Sequence, residues 1–146
     1  MKGMTVEAPQ PDRCFGEPGS RFGLNTPALV LDADALEHNI AAMAEAMRGF
    51  GRKLRPHVKS HKCVRIAGMQ IAAGAVGVCC ATLDEAEVMA AGGIGGILIT
   101  SPVTTAIKIA RLVRLARRAP DTMIVVDNAG NATALAEAAR EGGIVL

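Results

Sequence analysis

The chain has 146 residues, half of them apolar, with 16 glycines and a formal net charge of +2. That length suits one modest domain, and that composition suits a well-buried α/β protein rather than a disordered one. The small charge gives no footprint for nucleic acid, and with three Phe and neither Tyr nor Trp the core must rest on Leu, Ile, Val, Ala and Met.

The first 26 residues hold Pro9, Pro11, Pro18, Gly16, Gly19 and Gly23 without periodicity, so they are expected to form an irregular lead-in. The opening MKGMTVEAPQPDR has no apolar core of the kind a signal peptide carries, which sets a cytoplasmic expectation. From Pro27 onward, 27–146, a regular rhythm begins. The run 28–32 (ALVLD) reads as a short strand. A helix follows with Asp34 as its cap and Glu37 in capping-box spacing. Leu36, Ile40, Met43 and Met47 give it one apolar stripe, and Gly49 and Gly51 end it.

The pattern then repeats. A strand is expected over 53–59, a helix over 62–73, and a strand over 76–81. Thr82 and Glu85 form a second capping box, and Gly92-Gly93 closes that helix. Strand 97–100 precedes a helix with Ile107, Ala110 and Val113 facing inward. After a turn at Pro120-Asp121 come strand 123–127, a helix with Leu135 and Ala139 inward, and a strand beginning at 144–146.

Short, continuously apolar strands alternating with helices indicate parallel pairing. An open doubly wound sheet and a closed barrel both have this rhythm, but no GxGxxG loop follows the early strands. A complete (β/α)8 barrel needs roughly 200 residues or more, so a partial, truncated barrel of that type is the expected fold class. No apolar stretch approaches the roughly 20 residues that span a membrane.

Of the four cysteines, Cys14, Cys63, Cys79 and Cys80, none forms a CxxC pair, and reduced core thiols are expected for the adjacent Cys79 and Cys80. His57, His61 and Cys63 do not have convincing metal-ligand spacing, so no metal is assigned to them. Lys108, Arg111, Arg114, Arg117 and Arg118 make a basic stripe expected to face solvent. His38 is expected on a helix surface. Asp127 ends a strand and serves equally well as a helix cap.

The chemistry-bearing stretch is RPHVKSHK, 55–62. Strand alternation puts Leu54, Pro56 and Val58 on one face and Arg55, His57, Lys59 and, if the strand extends, His61 on the other. In a barrel the basic set points inward, and Lys59 stands at the carboxyl end, where such sites lie. A buried lysine beside other cations suits attack on an aldehyde. Spacing alone also fits a basic strand-to-helix loop, and Pro56 removes a ladder bond.

TPALVLDADALEHNI, RPHVKSHK, GAVGVCCATLDEAEV and GGIGGILITSPV, in order over about 26–146, resemble the fold-type III pyridoxal 5'-phosphate (PLP) enzymes. The branch is that of D-threonine aldolase and D-serine dehydratase, related to alanine racemase. Ser60 stands where the family often has Thr. The resemblance implies that Lys59 carries the cofactor, and the strand alternation adds His57 and Arg55 as expected cofactor contacts. It implies a lyase for D-β-hydroxy amino acids, of aldolase type, with dehydratase or racemase as alternatives. It also implies a C-terminal β-domain joined by strand 28–32, a divalent metal whose ligands lie outside this chain, and a homodimer. Alternatives of another class are a non-catalytic PLP-binding protein and an inactive fragment.

Overall fold

The computed structural model describes residues 18–146, without the side chains of Ser20 and Arg21. Most of the expected lead-in and Cys14 therefore lie outside the described residues. The chain divides between Asn39 and Ile40 into two compact units.

In the first unit a short 3-10 turn, Ser20–Gly23, precedes the apolar run 28–32. That run is not a strand, which corrects the expectation. No described strand pairs with it, and Leu29, Val30 and Leu31 are exposed. Helix α1, Ala33–Gly49, crosses from this unit into the next. Its cap is Asp32 rather than Asp34: an Asp32 carboxylate oxygen accepts from the Ala35 N–H at 2.9 Å, and its carbonyl accepts from Leu36. Asp34 falls in the first turn, where a carboxylate still favours the helix N-terminus. Along the expected stripe Leu36, Ile40 and Met47 are half-buried, Met43 is exposed, and the buried residue is Ala44.

The second unit is a parallel sheet backed by helices. Its elements are α2 (Val64–Ala72), β1 (Val78–Cys80), α3 (Leu83–Ala91), β2 (Ile97–Ile99), α4 (Ala106–Arg118), β3 (Met123–Ile124) and α5 (Ala129–Gly142). The strands pair in chain order, β1-β2-β3, all parallel. On the free side of β1 lies the segment 54–57, joined by Val76 N–H to Leu54 O (2.9 Å), Cys79 N–H to Pro56 O (2.7 Å) and a parallel bridge at His57. Four parallel segments adjacent in chain order do not occur in the common doubly wound orders, which reverse at a switch point. They are the winding of a barrel, as expected from the sequence.

The strand expected over 53–59 ends at His57, and the chain then enters a 3-10 turn, Val58–Ser60. Pro56 has no N–H, so both direct bonds here are given by the β1 side. Those donors, Val76 and Cys79, are three apart while their acceptors are two apart. The extra residue is absorbed next to Gly77, whose φ of 148° suits glycine.

Val78, Cys80, Ile97 and Ile99 are fully buried and meet Leu83, Ala86, Met89, Ile109, Leu112 and Leu115 in the core. The alternate row, Cys79, Leu98 and Met123 in mutual register, faces the other way and is half-buried or exposed. Of the adjacent thiols, only Cys80 belongs to the core. Burial pushes it from 9.0 to about 12.

α4 departs from expectation. Ile107 and Ala110 are exposed and Val113 half-buried, while Ile109, Leu112, Leu115 and Ala116 are buried. Two apolar rows run along this helix, and the row holding two leucines covers more surface. The basic stripe is not wholly solvated either. Arg111 bridges to Asp84 and Glu87 of α3, and Arg117 donates to Gly142 O at 2.9 Å. The Arg111 guanidinium also holds the Asp84 carboxyl below its usual range.

In α5 Leu135 and Ala139 are buried as expected, and Asn128 rather than Asp127 is the cap. β3 is shorter than the expected 123–127, and residues 144–146 are not in a strand.

At the amino ends of the strands Gly77 and Gly96 approach closely. A Cβ on Gly96, at φ 62°, would overlap Val76 O and Gly77 Cα. Gly96→Ala should therefore cost about 3 kcal/mol or more in urea unfolding. Gly93→Ala, at φ 80° with open space around it, should cost about 1 kcal/mol. Equal losses would contradict the close approach.

A second expectation concerns pH. Folded Cys80 keeps its proton up to about pH 12, whereas the unfolded thiol loses it near 9.0. Between those values the native state binds more protons, so stability falls as pH rises. Urea midpoints across that window should decline less steeply in Cys80→Ala than in the parent.

Candidate functional site

Parallel strands present all their carboxyl ends at one edge, and the 54–57 segment delivers RPHVKSHK to that edge. Val58, with no exposed surface, roots the turn in the core. Lys59 follows it, exposed, and makes no ion pair among the described residues. The turn closes through Lys62 N–H and His61 N–H, which donate to Val58 O at 2.7 and 3.1 Å. Lys62 closes it at φ 48°, a left-handed conformation rare for a residue with a Cβ.

His57 caps the turn. Its Nδ1 accepts from the Lys59 N–H at 3.3 Å, which leaves Nε2 to carry the ring hydrogen. Nε2 lies 3.3 Å from Thr100 Oγ1, and that hydroxyl donates to Cys80 O at 3.1 Å. One ring thus joins the backbone of Lys59 to the end of β2. Ser60 Oγ adds a bond to His57 O at 3.4 Å.

Arg55 lies elsewhere. Its guanidinium covers Gly77 and Gly96 at the amino ends of the strands, where it lines an open cavity of about 420 Å³ with Asp121, Thr122 and Met123. Nη1 is buried without a hydrogen-bond partner among the described residues. Asp121 is occupied in part by the Gly96 N–H at 2.5 Å. Of the three residues expected to contact a cofactor, His57 and Lys59 therefore come together, while Arg55 sits at the opposite ends of the strands.

His61 does not continue the row of His57. Its Nδ1 accepts from the Cys63 N–H at 3.1 Å at the start of α2. Burial pushes its pKa below 6.5, with the nearby Gln70 side chain acting in the opposite sense. Among the described residues, no group of three His, Cys, Asp or Glu could hold a metal.

Three residues escaped the sequence reading. Thr100 was seen only as a strand end, although a hydroxyl at the carboxyl end of an apolar strand is a usable signal. Glu85 was seen only as a helix start, yet its Oε2 accepts from Ala81 N–H at 2.8 Å and its Oε1 lies 3.4 Å from Lys62 Nζ. Asn131 donates to Val103 O at 2.8 Å and leaves a buried Oδ1 without a partner among the described residues. Only spatial proximity reveals the last two.

Known proteins share this fold. The family described as "Alanine racemase, N-terminal domain" matches residues 31–146. The chain belongs to that family. It is 40% identical over 124 residues to 3-hydroxy-D-aspartate aldolase of Paracoccus denitrificans, covering 84% of this chain and 32% of the relative. D-threonine aldolase from Filomicrobium marinum superposes with a TM-score of 0.81 at 44% identity, over 84% of this chain and 33% of that one. D-threo-3-hydroxyaspartate dehydratase from Delftia sp. HT23 gives 0.74 at 42% identity, over 83% and 32%. The chain thus spans about a third of the length of the relatives it matches. The resemblance to fold-type III PLP enzymes is borne out at the level of the family.

The turn yields a pH expectation. Unfolded His61 takes a proton near 6.5, and the folded residue takes it only at lower pH. Between these values the unfolded state binds more protons, so stability falls as the medium is acidified. Urea midpoints should decline as the pH is lowered through 6.5, and His61→Gln should remove part of that decline.

Proposed function

We propose that this chain provides the cofactor lysine of a PLP-dependent lyase acting on D-amino acids with a β-hydroxyl group. The observation that carries the reading is Lys59 itself. Lys59 stands at the carboxyl end of the parallel sheet, without an ion pair among the described residues, on a turn fixed by a buried valine and a doubly bonded histidine. Lys59 is exposed within this chain rather than buried as the sequence predicted, but a primary amine held on a turn with fixed ends is the group an aldehyde cofactor requires, so the residues present fit PLP. When bound, PLP withdraws electrons from the substrate's Cα, so that a bond to that carbon can break.

In this reading Lys59 would hold the cofactor through its side-chain amine. His57 keeps the Lys59 backbone in place and would line the cofactor, whereas Arg55, over Gly77 and Gly96 at the amino ends of the strands, is given no contact with it. The aldolase reaction breaks Cα–Cβ and returns glycine and an aldehyde. The relatives are named aldolases and a dehydratase at nearly equal identity, 44% and 42%. Their shared substrate feature, a D-amino acid hydroxylated at Cβ, is the firmer part of the reading. A divalent metal beside that hydroxyl and a homodimer belong to the whole enzyme, with ligands and contacts outside this chain.

The test is reduction with borohydride in the presence of PLP, followed by peptide mapping. A single stable adduct is expected on the peptide carrying Lys59, absent from Lys59→Ala. Adducts spread over surface lysines, or none, would overturn the assignment.

A further inference from the structure

Lys59 lies between two fixed points. On its amino side His57 is joined to Thr100 at the end of β2. On its carboxyl side stands Lys62, and the structure explains why a lysine should occupy so unfavourable a conformation. At φ 48° glycine would be easier to place. A side chain is worth its strain there only if it makes a contact that glycine cannot. Lys62 Nζ lies 3.4 Å from Glu85 Oε1.

The partner is well fixed. The Glu85 side chain is only 10% exposed, while that of Lys62 is 67% exposed. The second oxygen of Glu85 takes the Ala81 N–H at 2.8 Å. The first turn of α3 also favours a negative charge. Capping does not account for this carboxylate by itself. Thr82 Oγ1 already accepts from the Glu85 N–H at 3.2 Å, so the helix keeps a cap without it. What the carboxylate alone provides is a tie between the loop after β1 and the turn that carries Lys59.

We propose that Glu85 is a positioning residue for Lys59, acting through Lys62 to hold the 58–62 turn against the start of α3. The role rests on the reading of Lys59 as the cofactor lysine. With both anchors in place, the Lys59 Cα is fixed from two neighbouring βα loops, and its amine is presented to the cofactor without a search of backbone conformations.

Two measurements on Glu85→Gln, Lys62→Met and the double variant test this. Glu85→Gln keeps an acceptor for Ala81 and the Thr82 cap, so its melting temperature should stay within a few degrees of the parent. Amide hydrogen exchange should quicken in the peptide covering 58–62 in all three proteins. Apparent PLP affinity, read from the absorbance of the lysine-bound cofactor, should fall about 3- to 10-fold in each single variant and no further in the double, because the pair acts as a unit. The borohydride adduct should remain on Lys59. Unchanged exchange at 58–62 would overturn the tie. Quickened exchange with parental PLP affinity, or losses that add in the double variant, would overturn the positioning role. A parent that forms no Lys59 adduct would instead sink the cofactor reading, and the exchange result would still decide the tie.

Discussion

Parallel hydrogen bonding in chain order is the constraint on which the second unit depends. Each strand must run the same way as its predecessor, so the chain has to return through a helix after every strand. That return places the helices over one face and gathers every carboxyl end at one edge. Val78, Cys80, Ile97 and Ile99 are buried as a consequence, and so is the row of leucines on α4 that covers them. The turn bearing Lys59 inherits its position from the same pairing. Pro56 O and His57 lie beside Cys79, and the next residue, Val58, enters the core.

The two ends of the sheet are built from different materials. At the amino ends, Gly77 and Gly96 bring backbones close together beneath a large planar cation, and Asp121 closes the neighbouring loop through Gly96 N–H. These contacts admit almost no change of side chain. At the carboxyl ends, the contacts are single bonds made by polar side chains: His57 to the Thr100 hydroxyl, Glu85 to the Ala81 N–H, Asn131 to the Val103 carbonyl. The division agrees with the general behaviour of barrels, in which one end carries stability and the other chemistry.

How much of this was legible in the sequence varied with the range of the interaction. Thr82 and Glu85 announced their helix because a cap is local, and Leu135 and Ala139 announced theirs through period. Asp34 has Glu37 in capping-box spacing, yet the cap lies two residues earlier, where the Asp32 carboxylate takes the Ala35 N–H and no box accompanies it. On α4 two apolar rows competed, and the choice between them was made by the sheet rather than by the helix. The run ALVLD has strand composition, but a strand needs a partner, and composition does not supply one. RPHVKSHK was readable as a site through resemblance. The bend at Val58, which takes Lys59 out of the strand alternation, was not readable, since it depends on where Val58 finds its core.

The burial of the sheet separates what holds the fold from what makes the site. The helix-facing row is closed to solvent within this chain, and the core there is complete. On the opposite face Cys79 and Leu98 are half-buried, and Met123 is exposed. The helices therefore fix the strands without help from that face, and the strands in turn fix His57 and Lys59. It follows that the geometry of the lysine turn is set by interactions behind the sheet and at its edge. A change on the inner face should then alter what the site holds before it alters where Lys59 stands.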